Sequence, residues 1–247
     1  MKYNYNIIIE YDGTTFVGWQ SQRKGLSVQS EIQRALKKLL KDDIKIFGSG
    51  RTDSGVHAFQ QNANFYTHKK ILDKKKFINS LNFFLQKKNI SLLDIKKKNL
   101  DFNARFSAKK RIYQYVIANR FGSLSLEKNR AWHIKKKLNF KIMKKGAQLL
   151  MGTHDFSAFR SSSCGAKSPV KTISKIDIRR KEKKIYLIFE SKSFLQQQVR
   201  SMVGCLKYLG EEKWSLNKFK KVLKSKQRSM CAPPAPAHGL YLKKIKY

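Results

Sequence analysis

The chain has 247 residues, 41% of them hydrophobic, and carries 54 Lys and Arg against 16 Asp and Glu, for a net charge of +38. A chain of this length buries enough surface to fold without disulfide or metal staples. No apolar run reaches the ~18 residues that would span a membrane, and the charge points to a polyanionic partner, most often nucleic acid.

Tyr3 to Asp12 alternates as a strand. Ser27 can cap a helix over Val28–Leu40, whose apolar stripe is Val28, Ile32, Ala35, Leu36, Leu39 and Leu40. A short strand follows at Ile44–Ser49, then a glycine-bearing loop over Gly50–Phe59, then a strand near Gln60–Tyr66. Asp73 can cap a second helix with the stripe Phe77, Ile78, Leu81, Phe84 and Leu85, and Ile90–Ile95 closes a βαββαβ order. The remainder repeats that order loosely. It has a strand at Arg111–Asn119, a helix at Phe140–Met151, and a hairpin of Thr172–Arg179 and Ile185–Lys192 around the polar turn RKEKK. Helices at Leu195–Leu209 and Leu216–Lys224 and a strand at Leu240–Ile245 complete it. Sequence similarity between the halves is absent, and only the topology repeats. The expected class is α+β: two ferredoxin-like or RRM-like halves, 1–105 and 106–247, sharing a mainly antiparallel sheet with an active-site cleft between them.

Three cysteines, Cys164, Cys205 and Cys231, form no CxxC pair and are expected to be reduced. His154 and Cys164 lie ten residues apart and do not make a zinc site, so no metal is expected. The N-terminus reads as a strand rather than a signal peptide, which suggests a cytoplasmic protein. Charge is uneven: residues 1–105 hold 20 basic and 9 acidic residues, and 106–247 hold 34 and 7. Lys outnumbers Arg 42 to 12, so part of the excess can be solvated surface and compositional bias. Arg51, Arg105, Arg160 and Arg200 stand apart from the lysine runs, beside Gly, Ser or aromatic residues, where a rigid planar fork has a use that Lys does not serve, and Arg111 follows Lys109-Lys110 at the start of a strand.

The stretch GSGRTDSGVHAFQ, from Gly48, places Asp53 between Arg51-Thr52 and Ser54-Gly55. Asp before Ser-Gly is an ordinary turn signal. It is also a carboxylate in a chain with few of them, set beside a cation. Neither a P-loop nor a Rossmann fingerprint is present. Composition alone leaves the turn and the catalytic readings open.

GRTDSGVHA resembles the GRTDAGVHA motif of the tRNA pseudouridine synthase A family. YDGTTFVGWQSQ, SVQSEIQRAL, FNARFSAKKRIYQY, MGTHDFSAFR, SPVKTI, FLQQQVRSMVG and APAHGLYL continue the resemblance in order along the chain. The resemblance implies an isomerase that converts uridine to pseudouridine in the anticodon arm of tRNA, at positions 38, 39 and 40, as a homodimer and without cofactor or bound nucleotide. It implies Asp53 as the catalytic aspartate and nucleophile, Arg200 as the arginine paired with it, and Tyr113 as the tyrosine against the uracil. Arg51 is implied as an RNA contact near the target base, which must be flipped out of its stack to expose the reacting bond. Taken without the family, Tyr113 would be a strand core aromatic and Arg200 an exposed helix charge, although Arg200 falls beside the apolar stripe rather than opposite it. His57 is expected to pack the loop or contact RNA rather than act as a base. Ser54, Gln198 and Asn103 depart from the commoner Ala, Met and His, and none of these changes removes a reacting group. A non-catalytic RNA-binding protein of RRM-like build would share the charge and fold, but would have no use for the Asp53, Tyr113 and Arg200 set. A nucleoside hydrolase or nuclease would need a second carboxylate or a metal cluster.

Overall fold

The computed structural model describes all 247 residues, and the chain divides into two compact units, 1–109 with 242–247 and 110–241. The fold is α+β with mostly antiparallel strands. No helix is long and apolar enough to cross a membrane.

The first unit contains β1 (Tyr3–Tyr11), α1 (Val28–Leu40), β2 (Ile46–Gly48), β3 (His57–Thr67), α2 (Lys74–Leu85) and β4 (Ile90–Lys98), in the expected βαββαβ order. β1 lies between β4 and β3, antiparallel to both, and β2 pairs with β3. The chain's last strand, Leu240–Lys246, pairs with β3, and from Leu242 onward it belongs to this unit.

Alternation along β1 buries Tyr5, Ile7, Ile9 and Tyr11 on one face. The opposite face is not solvated, as simple alternation suggested, because Asn4 and Asn6 are buried too. Asn6 donates to Asn62 Oδ1 at 3.0 Å and Asn64 to Asn4 Oδ1 at 3.0 Å. Asn4 also donates to the Asn99 and Phe102 carbonyls, and Asn64 Oδ1 accepts from the Ala104 amide at 2.9 Å. An amide ladder thus ties residues 99–104 to the sheet. All of these asparagines make side-chain hydrogen bonds, which makes their burial tolerable, although Asn6 Oδ1 is buried without a partner.

The helices follow from their caps and stripes. Ser27 accepts from the Ser30 amide, and Ser30 reaches back to the Ser27 amide, a capping box closed by Ser rather than by Glu or Gln. Ser27→Ala is expected to cost about 1 kcal/mol. A thermal melt should therefore shift down by roughly 2–4 °C for a domain of this size. An unchanged melt would mean that the cap is dispensable. In α2, Asp73 caps as expected, and Phe77, Leu81 and Leu85 are buried. Ile78 is only half-buried and Phe84 lies exposed, so the stripe is narrower than periodicity suggested.

The second unit contains β5 (Lys110–Asn119), β6 (Trp132–Ile134), α3 (Phe140–Gln148), β7 (Gly152–Asp155), β8 (Val170–Lys181), β9 (Lys184–Ser191), α4 (Gln198–Gly210) and α5 (Leu216–Ser225). Its sheet runs β5-β9-β8-β7, all antiparallel, with β6 parallel to β5. β6 and β7 are too short to show a period and were not visible in the sequence. The β8–β9 hairpin is tighter than expected. Lys181 pairs with Lys184, leaving Glu182 and Lys183 as the turn, with Glu182 at φ 52°.

α4 starts at Gln198 rather than Leu195, because Gln197 adopts a left-handed conformation at φ 61°. Leu195, Val199, Met202, Val203 and Leu206 are all buried, as the stripe required. α3 crosses α4 closely: a Cβ on Gly146 would overlap Leu209.

Candidate active site

The loop carrying Asp53 leaves β2 after Gly48 and enters β3 at His57, so it is shorter than the expected Gly50–Phe59 connection. Ala58 already pairs with Tyr11 beyond a bulge in β3, which carries that strand toward the loop.

The loop is anchored at its first end. Ser49 donates its amide to the Asn62 carbonyl at 2.8 Å and its hydroxyl to Gln61 Oε1 at 2.7 Å, while Gln61 donates to the Gly50 carbonyl at 2.9 Å. The middle rests on residues 11–19. The Trp19 amide donates to the Thr52 carbonyl at 3.1 Å, and the Tyr11 and Thr52 hydroxyls meet at 2.8 Å. The Gly55 amide and the Ser54 hydroxyl both donate to the Phe16 carbonyl, at 3.3 and 3.1 Å.

Two glycines allow this approach. Gly18 has φ +115°, and a Cβ there would stand 2.6 Å from the Thr52 carbonyl oxygen. A Cβ on Gly13 would overlap the Val56 carbonyl. Asp53 closes a turn by accepting the Val56 amide at 3.2 Å, with Gly55 at φ +76°. The turn is closed through the Asp53 backbone carbonyl. The Asp53 side chain is half-buried in a loop whose neighbours are fixed on both sides, and Arg51 is exposed two residues before it.

His57 is buried behind this loop. Its Nδ1 lies 3.0 Å from the Gly13 amide and 3.1 Å from Asp12 Oδ1. A neutral ring with a bare Nδ1 accepts from Gly13, and a ring protonated there donates to Asp12. One nitrogen cannot do both at once, and either arrangement gives the histidine a packing role.

Tyr113 and Arg200 sit in the second unit. Tyr113 is opposite Phe189 in the β5–β9 ladder, largely buried, and meets Phe194 edge-on with ring centroids 5.3 Å apart. Arg200 lies in the first turn of α4, half-buried. Its Nε donates to the Ala235 carbonyl at 2.7 Å, and the Ala235 amide donates to the Arg200 carbonyl at 3.0 Å. The Nε bond restrains the guanidinium, and the backbone bond holds Ala235 against the helix.

Sequence reasoning missed the groups that hold these residues. Tyr115 is fully buried and donates to the Pro236 carbonyl at 2.8 Å. Burial pushes its phenol well above the usual tyrosine range, and the Arg200 charge opposes that only in part. A Cβ on Gly239 would stand 2.6 Å from the same ring. The sequence offered one clue, because APAHGLYL places its glycine where the chain passes over that ring. Gly18 and Trp19, in FVGW, play the corresponding role beneath Thr52. The structure therefore carries Arg51 and Asp53 on one braced loop of the first unit, with His57 packed behind it at the start of β3. It places Tyr113 and Arg200 in the second, on β5 and α4.

A carboxylate on a braced loop is suited to nucleophilic attack, because little ordering remains to be done when it reacts. A guanidinium anchored through its Nε can present its other nitrogens in a fixed plane.

A family model described as tRNA pseudouridine synthase matches residues 7–107 and 147–247. The chain is 57% identical to the tRNA pseudouridine synthase A of Pelagibacter ubique over 245 residues, which is 99% of this chain and 100% of that protein. It is 43% identical to the tRNA pseudouridine synthase A of Rhodopseudomonas palustris over 98% of both chains. It is 41% identical to that of Parvibaculum lavamentivorans, also over 98% of both.

Proposed function

The chain belongs to the tRNA pseudouridine synthase family, and from that premise we propose that it isomerises uridine to pseudouridine in tRNA. The observation that carries the reading is the 57% identity to a tRNA pseudouridine synthase A along the whole of both chains.

The finer proposal is that the targets are uridines 38, 39 and 40 of the anticodon arm and that Asp53 is the nucleophile. The reaction breaks the N-glycosidic bond, turns the uracil, and joins its C5 to the same sugar carbon. No electrons or phosphoryl groups are exchanged with a second substrate, so the proposal needs no nicotinamide or ATP. Asp53 attacks as the carboxylate. Arg200 favours its charged form and orients it. Tyr113 lies along the uracil and helps remove the C5 proton. Arg51 contacts the RNA beside the flipped base. The braced loop around Asp53 and the clasp on Arg200 support these roles, because both residues are held in place by backbone contacts. We further propose that the enzyme acts as a homodimer in the cytoplasm, which sedimentation of the purified protein with and without tRNA would test.

The direct test is to incubate unmodified tRNA transcripts with the purified protein and map pseudouridine at single-nucleotide resolution. Product at 38, 39 or 40 is the expected result. Product elsewhere in tRNA would keep the activity and overturn the target, and no product in any tRNA would overturn the function.

The +38 charge also predicts steep salt dependence. Each phosphate neutralised should add roughly −0.7 to −0.9 to the slope of log affinity against log salt. Between 50 and 200 mM salt, a footprint of about six phosphates would lose on the order of a thousandfold in tRNA affinity. A flat titration would show that most of the lysines are solvated bystanders.

A further inference from the structure

Two sulfurs unused by the reaction lie side by side in the second unit. Cys205 on α4 and Cys231, which follows the short turn Arg228–Met230, bring their Sγ atoms to 3.3 Å without being bonded. Cys205 is fully buried and Cys231 is partly exposed, so an oxidant from solvent reaches Cys231 first.

The electrostatics divide the labour in the same direction. The hydrogen bond from Cys205 lowers the Cys231 thiol against the cost of its burial, and the Arg228 guanidinium adds to that lowering. The same bond and burial push the Cys205 thiol up. Cys231 is therefore the better thiolate, with Cys205 a proton donor beside it.

The pair occupies one end of a strap laid on α4. From Cys231 the chain runs along the helix and touches it three times. Cys231 meets Cys205, the Pro233 carbonyl lies so close to Gly204 that a Cβ would overlap it, and Ala235 clasps Arg200 in both directions. Beyond the strap, Pro236 receives the Tyr115 hydroxyl.

We propose that Cys205 and Cys231 form a peroxide-responsive dithiol whose oxidation reversibly locks this strap to α4 and slows the enzyme. In the first step the Cys231 thiolate attacks one oxygen of hydrogen peroxide. The O–O bond breaks, Cys231 becomes a sulfenic acid, and the released hydroxide takes a proton to become water. The Cys205 sulfur then attacks the Cys231 sulfur. The S–S bond forms, the S–O bond breaks, and the leaving hydroxide departs as water with the Cys205 proton. Two thiols are oxidised by two electrons and one peroxide is reduced to two waters. A small dithiol reverses the bond by exchange.

A disulfide is about 2.05 Å long, so closing the 3.3 Å gap moves the strap or the helix by about an ångström. That displacement enters the frame holding the Arg200 fork. The effect on rate rests on the proposed role of Arg200, whereas formation of the bond does not.

The test treats reduced wild-type protein with a slight excess of hydrogen peroxide, alkylates the remaining thiols, and maps the peptides by mass. The expected result is a Cys205–Cys231 cross-link two hydrogens lighter than the dithiol, with Cys164 alkylated, and full return to thiols on reduction. Cys205→Ala should stop at a Cys231 sulfenic acid trapped by dimedone, and Cys231→Ser should show neither product, each with a melt confirming that it folds. Both thiols alkylated in wild type after peroxide would overturn the oxidation site. Oxidised wild type should show a single-turnover rate down by about tenfold or more, as expected for a displacement of this size. That rate should be restored by dithiothreitol, with Cys231→Ser unaffected by peroxide. A cross-link that leaves the rate unchanged would overturn the switch. If Arg200→Ala in the reduced enzyme is impaired at the same time, the Arg200 role stands and only the coupling to the dithiol fails.

Discussion

Asp53→Asn is expected to abolish pseudouridine formation, lowering the single-turnover rate by at least about a thousandfold, while tRNA still binds. The amide is nearly isosteric but a poor nucleophile. The loop is braced by neighbouring residues and by backbone contacts. Thr52, Ser54 and Gly55 carry the contacts to Tyr11, Trp19 and Phe16, and Asp53 closes its turn through its backbone carbonyl. The loop should therefore keep its shape in the variant. Affinity should change by less than about threefold, because phosphate contacts dominate binding and Asp53 is not a cation. Binding should even tighten slightly on removal of a negative charge from a basic surface. Filter binding alongside a single-turnover assay separates the two quantities. A rate within tenfold of wild type would remove Asp53 from the chemistry, and a large loss of affinity at full rate would recast it as a structural residue.

Much of the fold was legible because its signals are local. Ser27 and Asp73 announced their helices by capping chemistry, and the stripes of α1 and α4 announced their buried faces. What escaped depends on contacts distant in sequence. The buried asparagines of β1 look like a solvent face until Asn62, Asn64 and residues 99–104 arrive to bond with them. β6 and β7 exist because β5 and β8 offer them ladders, which three- or four-residue segments cannot advertise. Phe84 obeys the helical period and is still exposed, since period says which face a residue takes and not how much of that face is covered. For the candidate site, the motif around Asp53 was readable, but its support was not. Gly18 passing under Thr52 and Ala235 clasping Arg200 join segments dozens of residues apart.

Arg200→Lys should lower the single-turnover rate by about 10- to 100-fold with tRNA affinity nearly unchanged. Lysine keeps the charge and loses the fork. In the native chain the Nε–H is committed to the Ala235 carbonyl at 2.7 Å, and that bond aims the rest of the guanidinium. A lysine has one nitrogen at the end of a flexible stem. It can satisfy Ala235 or reach toward a carboxylate, and it cannot hold both in a plane. Under the proposed mechanism the loss appears as a misaimed Asp53 rather than as weaker RNA binding, so it persists at saturating enzyme. A phosphate-contacting arginine would behave the opposite way, giving full rate at saturation and a reduced salt slope. A surface arginine with neither role would show no change in either quantity. Arg200→Ala should be worse than Lys in rate. It also removes the Ala235 contact, so its melt must be followed to separate lost stability from lost catalysis. A full single-turnover rate for Arg200→Lys would reject the need for a planar fork. The same result for Arg200→Ala, folded and saturated with tRNA, would remove Arg200 from the mechanism.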